Sequence, residues 1–247
     1  MPDPFQLHQT PRKTVCVLQT HHHILGSEYA PVNIHPNDTG DVALSRLQHM
    51  YHLPHKPVLM QQVHGHDIVA LDSVPTQHFW QPADACFTRQ NNLICTVMTA
   101  DCLPVLMTDS RAGFVAAVHC GWRSLYRGIL IKLLDQVASG HDLIVWFGPA
   151  ICDRHYQVDA AFKKHYLQAH PNASNAFTEV INGHCQADLK AMARAQLAQQ
   201  PVKHIHDVGI CTYGHKNYDS WRENKTPSRQ AAMIWLRPAN PPADNQH

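Results

Sequence analysis

Two stretches, Met98-Thr-Ala-Asp-Cys-Leu-Pro-Val-Leu106 and Ala117-Val-His-Cys-Gly-Trp-Arg123, decide the fold of this chain of 247 residues. Each contains an apolar run of strand length that adjoins a turn residue. The runs are continuously apolar instead of alternating with polar residues, which is typical of a sheet that is covered on both faces. Strands of the same character are predicted around them, at 83–87, 93–98, 104–108 and 113–118.

Outside these stretches the chain alternates between helical and strand-like patterns. Apolar spacing predicts helices at 41–51, 125–138, 158–169 and 187–199, and strands at 13–19, 58–63, 143–147, 202–208 and 232–236. We expect 13–19 to be the first strand and 67–71 to continue or pair with the strand at 58–63. Because no repeat or linker divides the chain, we predict one domain at 1–237, followed by a disordered tail at 238–247.

Composition restricts the class of protein. The formal net charge is +1 and no basic stripe is present, so the electrostatic footprint of a nucleic-acid binder is missing and a small-molecule partner is indicated. No apolar run reaches the roughly 18 residues that a membrane span needs, and the first residues do not resemble a signal peptide. Eight unevenly spaced cysteines are typical of reduced thiols. We therefore expect a cytoplasmic protein without membrane or nucleic-acid contacts.

Three candidate metal ligands stand next to strand-like runs. His64 follows the run at 58–63, whereas Cys102 and His119 belong to the two opening stretches. A catalytic zinc ion takes three such ligands and leaves one position open for water. However, none of the three belongs to a close pair such as His-x-x-x-His, and a buried cysteine or a core histidine satisfied by a hydrogen bond fits the same positions. The residues alone leave both interpretations open.

Five sequence blocks, in this order along the chain, resemble the signature blocks of the YfiH-type family, whose members are called laccase-domain or multicopper polyphenol oxidase proteins and also purine nucleoside phosphorylases. They are Gln62-Val-His-Gly65, Thr99-Ala-Asp-Cys-Leu-Pro104, His119-Cys-Gly-Trp-Arg123, Gly148-Pro-Ala-Ile151, and Ser220-Trp-Arg222 with Arg229-Gln230.

The resemblance implies a zinc ion bound by His64, Cys102 and His119. It also implies an α+β fold, with two packed mixed β-sheets flanked by helices in α/β/β/α layers, and a monomer or weak homodimer. The implied activity is phosphorolysis of adenosine, inosine, guanosine or methylthioadenosine to the base and ribose 1-phosphate, with adenosine deaminase activity in the same pocket.

Roles for further residues follow from the same resemblance. Phosphate needs guanidinium donors, for which Arg46 and Arg123 are the candidates, and Asn33 and His35 are expected to line the substrate pocket. For Arg123 the alternative is a structural ion pair with a carboxylate.

Deamination needs a proton shuttle beside the metal. Asp101 and Asp84 are the available carboxylates, and either of them is also suited to orienting a metal ligand. Two other chemistries use the same residues. In one, Cys102 is the nucleophile of a peptidoglycan-precursor hydrolase, with His119 or His64 as the base. In the other, copper replaces zinc in a polyphenol oxidase.

The chain departs from the family pattern in the loop between Asn33 and Arg46, which is shorter than usual and bears on the assignment of Arg46, Asn33 and His35, and at two of the signature blocks. Cys120 stands where the family usually has alanine, and if this segment is a strand, its side chain points away from the side of His119 and is not a ligand. The segment Cys152-Asp-Arg-His155 replaces a sequence that often contains a pair of cysteines in the family. Because of this change at Cys152 to His155, the family pattern does not predict how that side of the pocket selects a substrate.

Overall fold

The structure, a computed structural model, describes residues 5–20, 40–73, 79–137, 140–198, 200–225 and 227–238. Asn33 and His35 lie outside these ranges, as does the predicted tail beyond Pro238. Among the described residues, no helix is both long enough and apolar enough to cross a lipid bilayer.

A four-stranded sheet contains both termini of the described chain. Its strands, in spatial order, are β1 (Phe5–Gln9), β2 (Lys13–Gln19), β14 (Gln230–Pro238) and β7 (Cys95–Thr99). All three pairings in it are antiparallel. The prediction that 13–19 is the first strand was wrong, because the polar, alternating segment of β1 precedes it and occupies the sheet edge, where only one face needs apolar side chains.

A six-stranded mixed sheet forms the second layer. In spatial order it contains β13 (Val202–Asp207), β10 (Leu143–Phe147), β8 (Leu103–Asp109), β9 (Val115–Cys120), β6 (Ala85–Thr88) and β4 (Ile68–Ala70). The outer pairs β13–β10 and β4–β6 are parallel, and the inner pairs are antiparallel. Every residue of β8, β9 and β10 is buried, as their continuous apolar character predicts.

Two short ladders complete the β-structure. Strand β3 (Leu59–Gln61) pairs in parallel with β5 (Phe79–Pro82), and β11 (Gln157–Asp159) pairs with β12 (His184–Gln186). The expectation that 67–71 continues or pairs with the preceding strand was therefore wrong, because β4 joins the six-stranded sheet and β3 does not.

The helices are α1 (Gly40–Met50), α2 (Trp122–Tyr126), α3 (Ile129–Val137), α4 (Ala160–Ala169), α5 (Leu189–Leu197) and α6 (Trp221–Asn224). The helix predicted at 125–138 is split at Gly128, whose φ of 74° is left-handed and ends α2. The carboxylates of Asp159 and Asp188 cap α4 and α5 by accepting backbone N–H groups of the first turn.

Three apolar clusters define the layers. One packs α1 against the four-stranded sheet, the second fills the space between the two sheets, and the third packs α2, α3 and α5 against the outer face of the six-stranded sheet. The predicted α+β class, with two packed sheets between helices, is confirmed. Of the two sheets, the six-stranded one is mixed and the four-stranded one is antiparallel.

Candidate metal centre and cavity

Strand pairing brings Cys102 and His119 together at one end of the central strands of the six-stranded sheet, and a hydrogen bond to Asp84 holds the backbone of His64. Cys102 immediately precedes β8, and His119 is near the end of β9, opposite Pro104. Because β8 and β9 are antiparallel, the start of one lies beside the end of the other. On the other side of β9, the backbone N–H of His119 donates to the carbonyl of Asp84, just before β6, at 2.8 Å.

The donor atoms of His64, Cys102 and His119 all lie within 4.8 Å of one another. The Cys102 Sγ is 3.9 Å from the His64 Nε2, and the two imidazole rings meet edge to face with centroids 4.8 Å apart. His119 is buried, Cys102 is half-buried and His64 is exposed, so the group opens towards solvent on one side.

Asp84 holds two of these three residues in place. Its carboxylate is fully buried and accepts backbone N–H groups from Val63, His64 and Gly65 at 3.2, 2.9 and 2.6 Å. Its Oδ1 is also 2.7 Å from the Nδ1 of His119. Burial raises the pKa of Asp84, but the contacts with His119 and the backbone outweigh burial and lower it. The carboxylate is therefore a fixed anion that orients both histidines.

The thiol and the buried imidazole form a charged pair. Burial raises the pKa of Cys102, but the charge of His119 and the hydrogen bonds from both histidines outweigh burial and lower it to about 6. Burial lowers the pKa of His119, whereas the Cys102 thiolate and Asp84 raise it to about 9. At neutral pH the metal-free site therefore contains a thiolate beside an imidazolium.

Gly121 leaves little room for a side chain next to the three donors. A Cβ on Gly121 would lie 3.1 Å from the Cys102 Sγ and 3.1 Å from the His64 Cδ2. The backbone of His64 itself is left-handed, with φ of 57°, as is that of Asp101, with φ of 86°. Such conformations cost about 1 kcal/mol or more in non-glycine residues and are concentrated at functional sites.

The chemistry of this donor set fits a transition-metal ion. Imidazole nitrogen and thiolate sulfur are the ligand types that zinc and copper prefer. Because the Nδ1 of His119 contacts Asp84, its Nε2 is the nitrogen left for an ion, which is the carboxylate–histidine arrangement common behind bound metals. Three such ligands leave a coordination position open.

A cavity of about 640 Å³ lies above these donors. Besides His64, Cys102 and His119, it is lined by three aromatic residues and three arginines: Trp122, Tyr156, Trp221, Arg123, Arg222 and Arg229. Trp221 is 47% exposed, and the guanidinium of Arg229 lies 5.4 Å from its ring centroid. The cavity thus combines flat apolar surfaces with positive charge.

The predicted phosphate and pocket residues divide into three groups. Arg123 lines the cavity, with its guanidinium 4.4 Å from the Trp122 ring centroid, and it makes no ion pair within the described part of the chain. Arg46 is exposed on α1 and is not among the residues that line the cavity. Asn33 and His35 lie outside the described residues.

The two predicted carboxylates have different surroundings. Asp101 lines the cavity, but its Oδ1 accepts the Thr212 hydroxyl at 2.7 Å and its Oδ2 accepts the Arg222 backbone N–H at 2.6 Å. Asp84 is enclosed behind His119 and does not line the cavity. The extra thiol Cys120 is buried in the core on the helix side of the sheet, away from His119.

Sequence reasoning did not select Arg222, Arg229, Trp221 and Tyr156 as site residues. The first three stand in a polar stretch without periodicity, and the family block around Ser220 was the only signal that pointed to them. A contact between distant parts of the chain places Arg222 at the site. Asp101, which is 121 residues earlier in the sequence, accepts the backbone N–H of Arg222.

Comparison with known proteins agrees with this architecture. Residues 26–237 match the sequence profile of a family described as multi-copper polyphenol oxidoreductase laccase. The chain belongs to this YfiH-type family. Its relatives include "Purine nucleoside phosphorylase YfiH" from Shigella flexneri, 38% identical over 186 residues that cover 74% of this chain and 75% of the relative. The protein of the same name from Escherichia coli is 37% identical, with the same coverage.

Solved structures of the YfiH type have the same fold. YlmD from Geobacillus stearothermophilus superposes with a TM-score of 0.76 at 23% identity, covering 96% of this chain and all of that one. This likeness establishes the layer architecture described above.

Proposed function

We propose that this protein is a zinc-dependent purine nucleoside phosphorylase that acts on adenosine, inosine, guanosine and methylthioadenosine, with adenosine deaminase activity in the same cavity. The observation that carries the proposal is the combination, in one cavity, of a Cys/His donor group, exposed aromatic surface and guanidinium groups. The name of the Shigella and Escherichia relatives supports the same activity. Residues 1–237 would form the single catalytic domain.

The aromatic wall suits a purine. Trp221 and Tyr156 line the cavity, and stacking of a base on an aromatic face contributes about 1–3 kcal/mol whatever the base. This tolerance is consistent with several purine nucleosides sharing one site.

Arg123 is the proposed phosphate ligand. It is exposed to the cavity and its guanidinium offers paired N–H donors that match phosphate oxygens. The absence of an ion pair with any described carboxylate favours phosphate binding over the structural alternative considered for Arg123. Arg222 is less suited, because its Nη1 already donates to the carbonyls of His155 and Gln157 at 3.4 Å each. For Arg46 and for the pocket roles of Asn33 and His35, the prediction stands without support from the geometry.

His64, Cys102 and His119 would hold the zinc ion, which supplies a Lewis acid and lowers the pKa of a bound water towards about 7. Asp84 would fix the tautomer and orientation of His119. Asp101, the carboxylate on the cavity surface, is the proposed proton shuttle, and its contacts with Thr212 and Arg222 would hold it in position.

The decisive experiment is incubation with adenosine in the presence and absence of inorganic phosphate. Ribose 1-phosphate and adenine that form only with phosphate demonstrate phosphorolysis, and inosine formed in either condition demonstrates deamination. Arg123→Gln should raise the KM for phosphate, whereas Arg111→Gln, in the exposed turn at the other end of β8, should not. Absence of all three products from zinc-loaded protein would refute the proposed activity.

A second candidate function is supported by a specific contact. The lowered thiol pKa of Cys102, with His119 beside it and Asp84 behind His119 at 2.7 Å, is the Cys-His-Asp arrangement of a thiol hydrolase. A hydrolase that edits peptidoglycan precursors would use Cys102 as the nucleophile without a metal. Full hydrolytic activity in chelator-treated protein would favour this candidate.

A copper oxidase is the weaker alternative. A laccase reduces oxygen at a trinuclear cluster built from several His-x-His pairs. This sequence contains three such spacings, at His21 and His23, His64 and His66, and His204 and His206, and only the second includes a residue of the metal centre. We further propose that the protein is cytoplasmic and monomeric or weakly dimeric. Light scattering over a range of protein concentrations tests the second point.

A further inference from the structure

A second group of soft ligands lies outside the three-residue centre. Cys152 and His155 belong to the loop after β10, and Cys211 follows β13. The Nδ1 of His155 is 3.4 Å from the Sγ of Cys152 and 3.4 Å from the Sγ of Cys211. The three donor atoms all lie within 4.8 Å of one another.

These distances are close to those around a bound zinc ion. With Zn–S of about 2.3 Å and Zn–N of about 2.0–2.1 Å at tetrahedral angles, a sulfur and a nitrogen ligand lie about 3.5 Å apart. Two thiolates would neutralise the charge of the ion, so the nearby guanidinium of Arg222 does not exclude a cation. Cys152 and Cys211 are half-buried and His155 is exposed, which leaves a path for an ion and a fourth position for water.

The backbone fixes the two segments before any ion binds. Ala150 and Cys211 form a parallel bridge, in which the N–H of Ala150 donates to the carbonyl of Ile210 and the N–H of Thr212 donates to the carbonyl of Ala150. The backbone N–H of Cys152 also contacts the Sγ of Cys211 at 3.2 Å. Both thiols are thus held on adjacent backbone segments.

The imidazole is held as well. The ring of His155 stacks on that of Tyr213, with centroids 4.4 Å apart and planes inclined by 22°. This contact keeps the Nδ1 directed at both sulfur atoms. The side chain is therefore oriented as a metal ligand requires, although no carboxylate stands behind it.

We propose that Cys152, His155 and Cys211 bind a second Zn²⁺ ion, with solvent as the fourth ligand. The existence of this site does not depend on the reaction proposed for the cavity. Its position indicates a bracing role, because the two segments that it joins both support Asp101. The N–H of Ile151 donates to the carbonyl of Asp101, and the hydroxyl of Thr212 donates to its carboxylate.

The test measures metal binding and needs no substrate. Full-length Cys102→Ser protein, reduced and freed of metal with a chelator, is titrated with Zn²⁺ and separately with Co²⁺. We expect about one ion per chain at a Cys₂His site, with thiolate-to-cobalt absorption that cannot come from the substituted first centre. Adding Cys211→Ser or Cys152→Ser should abolish this absorption. Adding Cys185→Ser, a thiol in β12 outside both groups, should leave it unchanged.

A second measurement covers the case in which Cys102→Ser does not fold. Wild-type protein should then bind about two zinc ions per chain and His155→Gln about one, since His155 is exposed and its loss leaves no cavity in the core. Three results overturn the proposal: folded Cys102→Ser without thiolate-bound cobalt, zinc binding that Cys211→Ser does not change, or a Cys152–Cys211 disulfide found by mass spectrometry in protein purified without reductant.

Discussion

The two Cys/His groups of this protein have similar ligands but different supports. In the first, His119 is only 3% exposed, lies on a buried strand and is backed by the fully buried carboxylate of Asp84. In the second, His155 is exposed on a short helical turn and is backed by an aromatic ring. Both groups place three donor atoms within 4.8 Å.

The contrast shows how surroundings change the same chemistry. In the first group, the histidine charge lowers the pKa of Cys102 to about 6, so the thiolate is present at neutral pH. In the second, burial and the neighbouring Cys152 thiol raise the pKa of Cys211, so that a metal must displace a proton there. We therefore expect the first centre to hold its ion more tightly and the second to lose it first to a chelator.

The largest effect is expected from removing the thiol of the first group. Cys102→Ser should lower phosphorolysis about 1000-fold, because the Lewis acid would be lost with the ligand. Zinc content and the rate of ribose 1-phosphate formation measure this together. Cys16→Ala, which removes a buried thiol of β2, should change neither quantity. Two zinc ions retained per chain, with activity lost, would instead assign Cys102 the role of nucleophile.

The carboxylate that distinguishes the first group provides the next test. Asp84→Asn should weaken zinc binding about 10–100-fold, because the anion that orients His119 is lost. Competition with a chromophoric chelator measures the affinity. Asp67→Asn, in an exposed pair with Lys132 at 3.1 Å, is the matched control and should have no effect. Equal affinities for the two variants would show that the support behind His119 is unimportant.

Acid stability tests the same carboxylate in metal-free protein. Because the pKa of Asp84 is lowered by folding, its charge stabilises the folded chain above the ordinary aspartate pKa of about 4. This stabilisation is lost as the pH falls through the lower folded value. The melting temperature of the wild type should therefore fall more steeply below pH 4 than that of Asp84→Asn. Parallel curves would contradict the lowered pKa.

Crowding of the first group is expected to have a smaller effect. Gly121→Ala should weaken zinc binding about 10-fold, because its Cβ would meet the Cys102 Sγ and the His64 Cδ2 at 3.1 Å while its φ of −71° suits alanine. Gly209→Ala is the complementary control. Its φ of 69° is strained for alanine but no atom lies within 4 Å, so stability should fall by about 1 kcal/mol with unchanged metal affinity.

The smallest effect is a difference in thiol reactivity. In metal-free protein, alkylation of Cys102 by iodoacetamide should increase with pH around a midpoint of about 6 and level off at higher pH, as its thiolate forms. Alkylation of Cys211 should continue to increase beyond the usual range for a cysteine, because its pKa is raised. Peptide mass spectrometry separates the two sites. Identical pH profiles would contradict the proposed difference in pKa between Cys102 and Cys211.

Much of the fold follows from local patterns. The central strands β8, β9 and β10 of the six-stranded sheet are largely apolar because both of their faces are covered, and that pattern is visible without a structure. The errors in predicting two elements have specific physical causes. Strand β1 has a polar pattern because it lies at an edge, and the helix at 125–138 is divided by the left-handed backbone of Gly128, which apolar spacing does not reveal.

The site was less accessible to sequence reasoning. His64, Cys102 and His119 were selected because each adjoins a strand-like run, and the family blocks strengthened that choice. Arg46 was selected because it aligns loosely with an arginine of the family, yet the structure places it on α1, where it does not line the cavity. The second group, Cys152 with Cys211, was not recognised, because 59 positions separate the two cysteines along the chain.

The sequence by itself determined the residue types, the buried strands and the family, since these depend on local polarity and on ordered blocks. The tertiary structure decided which side chains meet. Antiparallel pairing of β8 and β9 brings Cys102 to His119, whose charge lowers the pKa of the thiol, and the buried Asp84 orients the imidazole. The bridge between Ala150 and Cys211 assembles the second group. Such contacts depend on strand order and register, which are properties of the packed chain and not of any one segment.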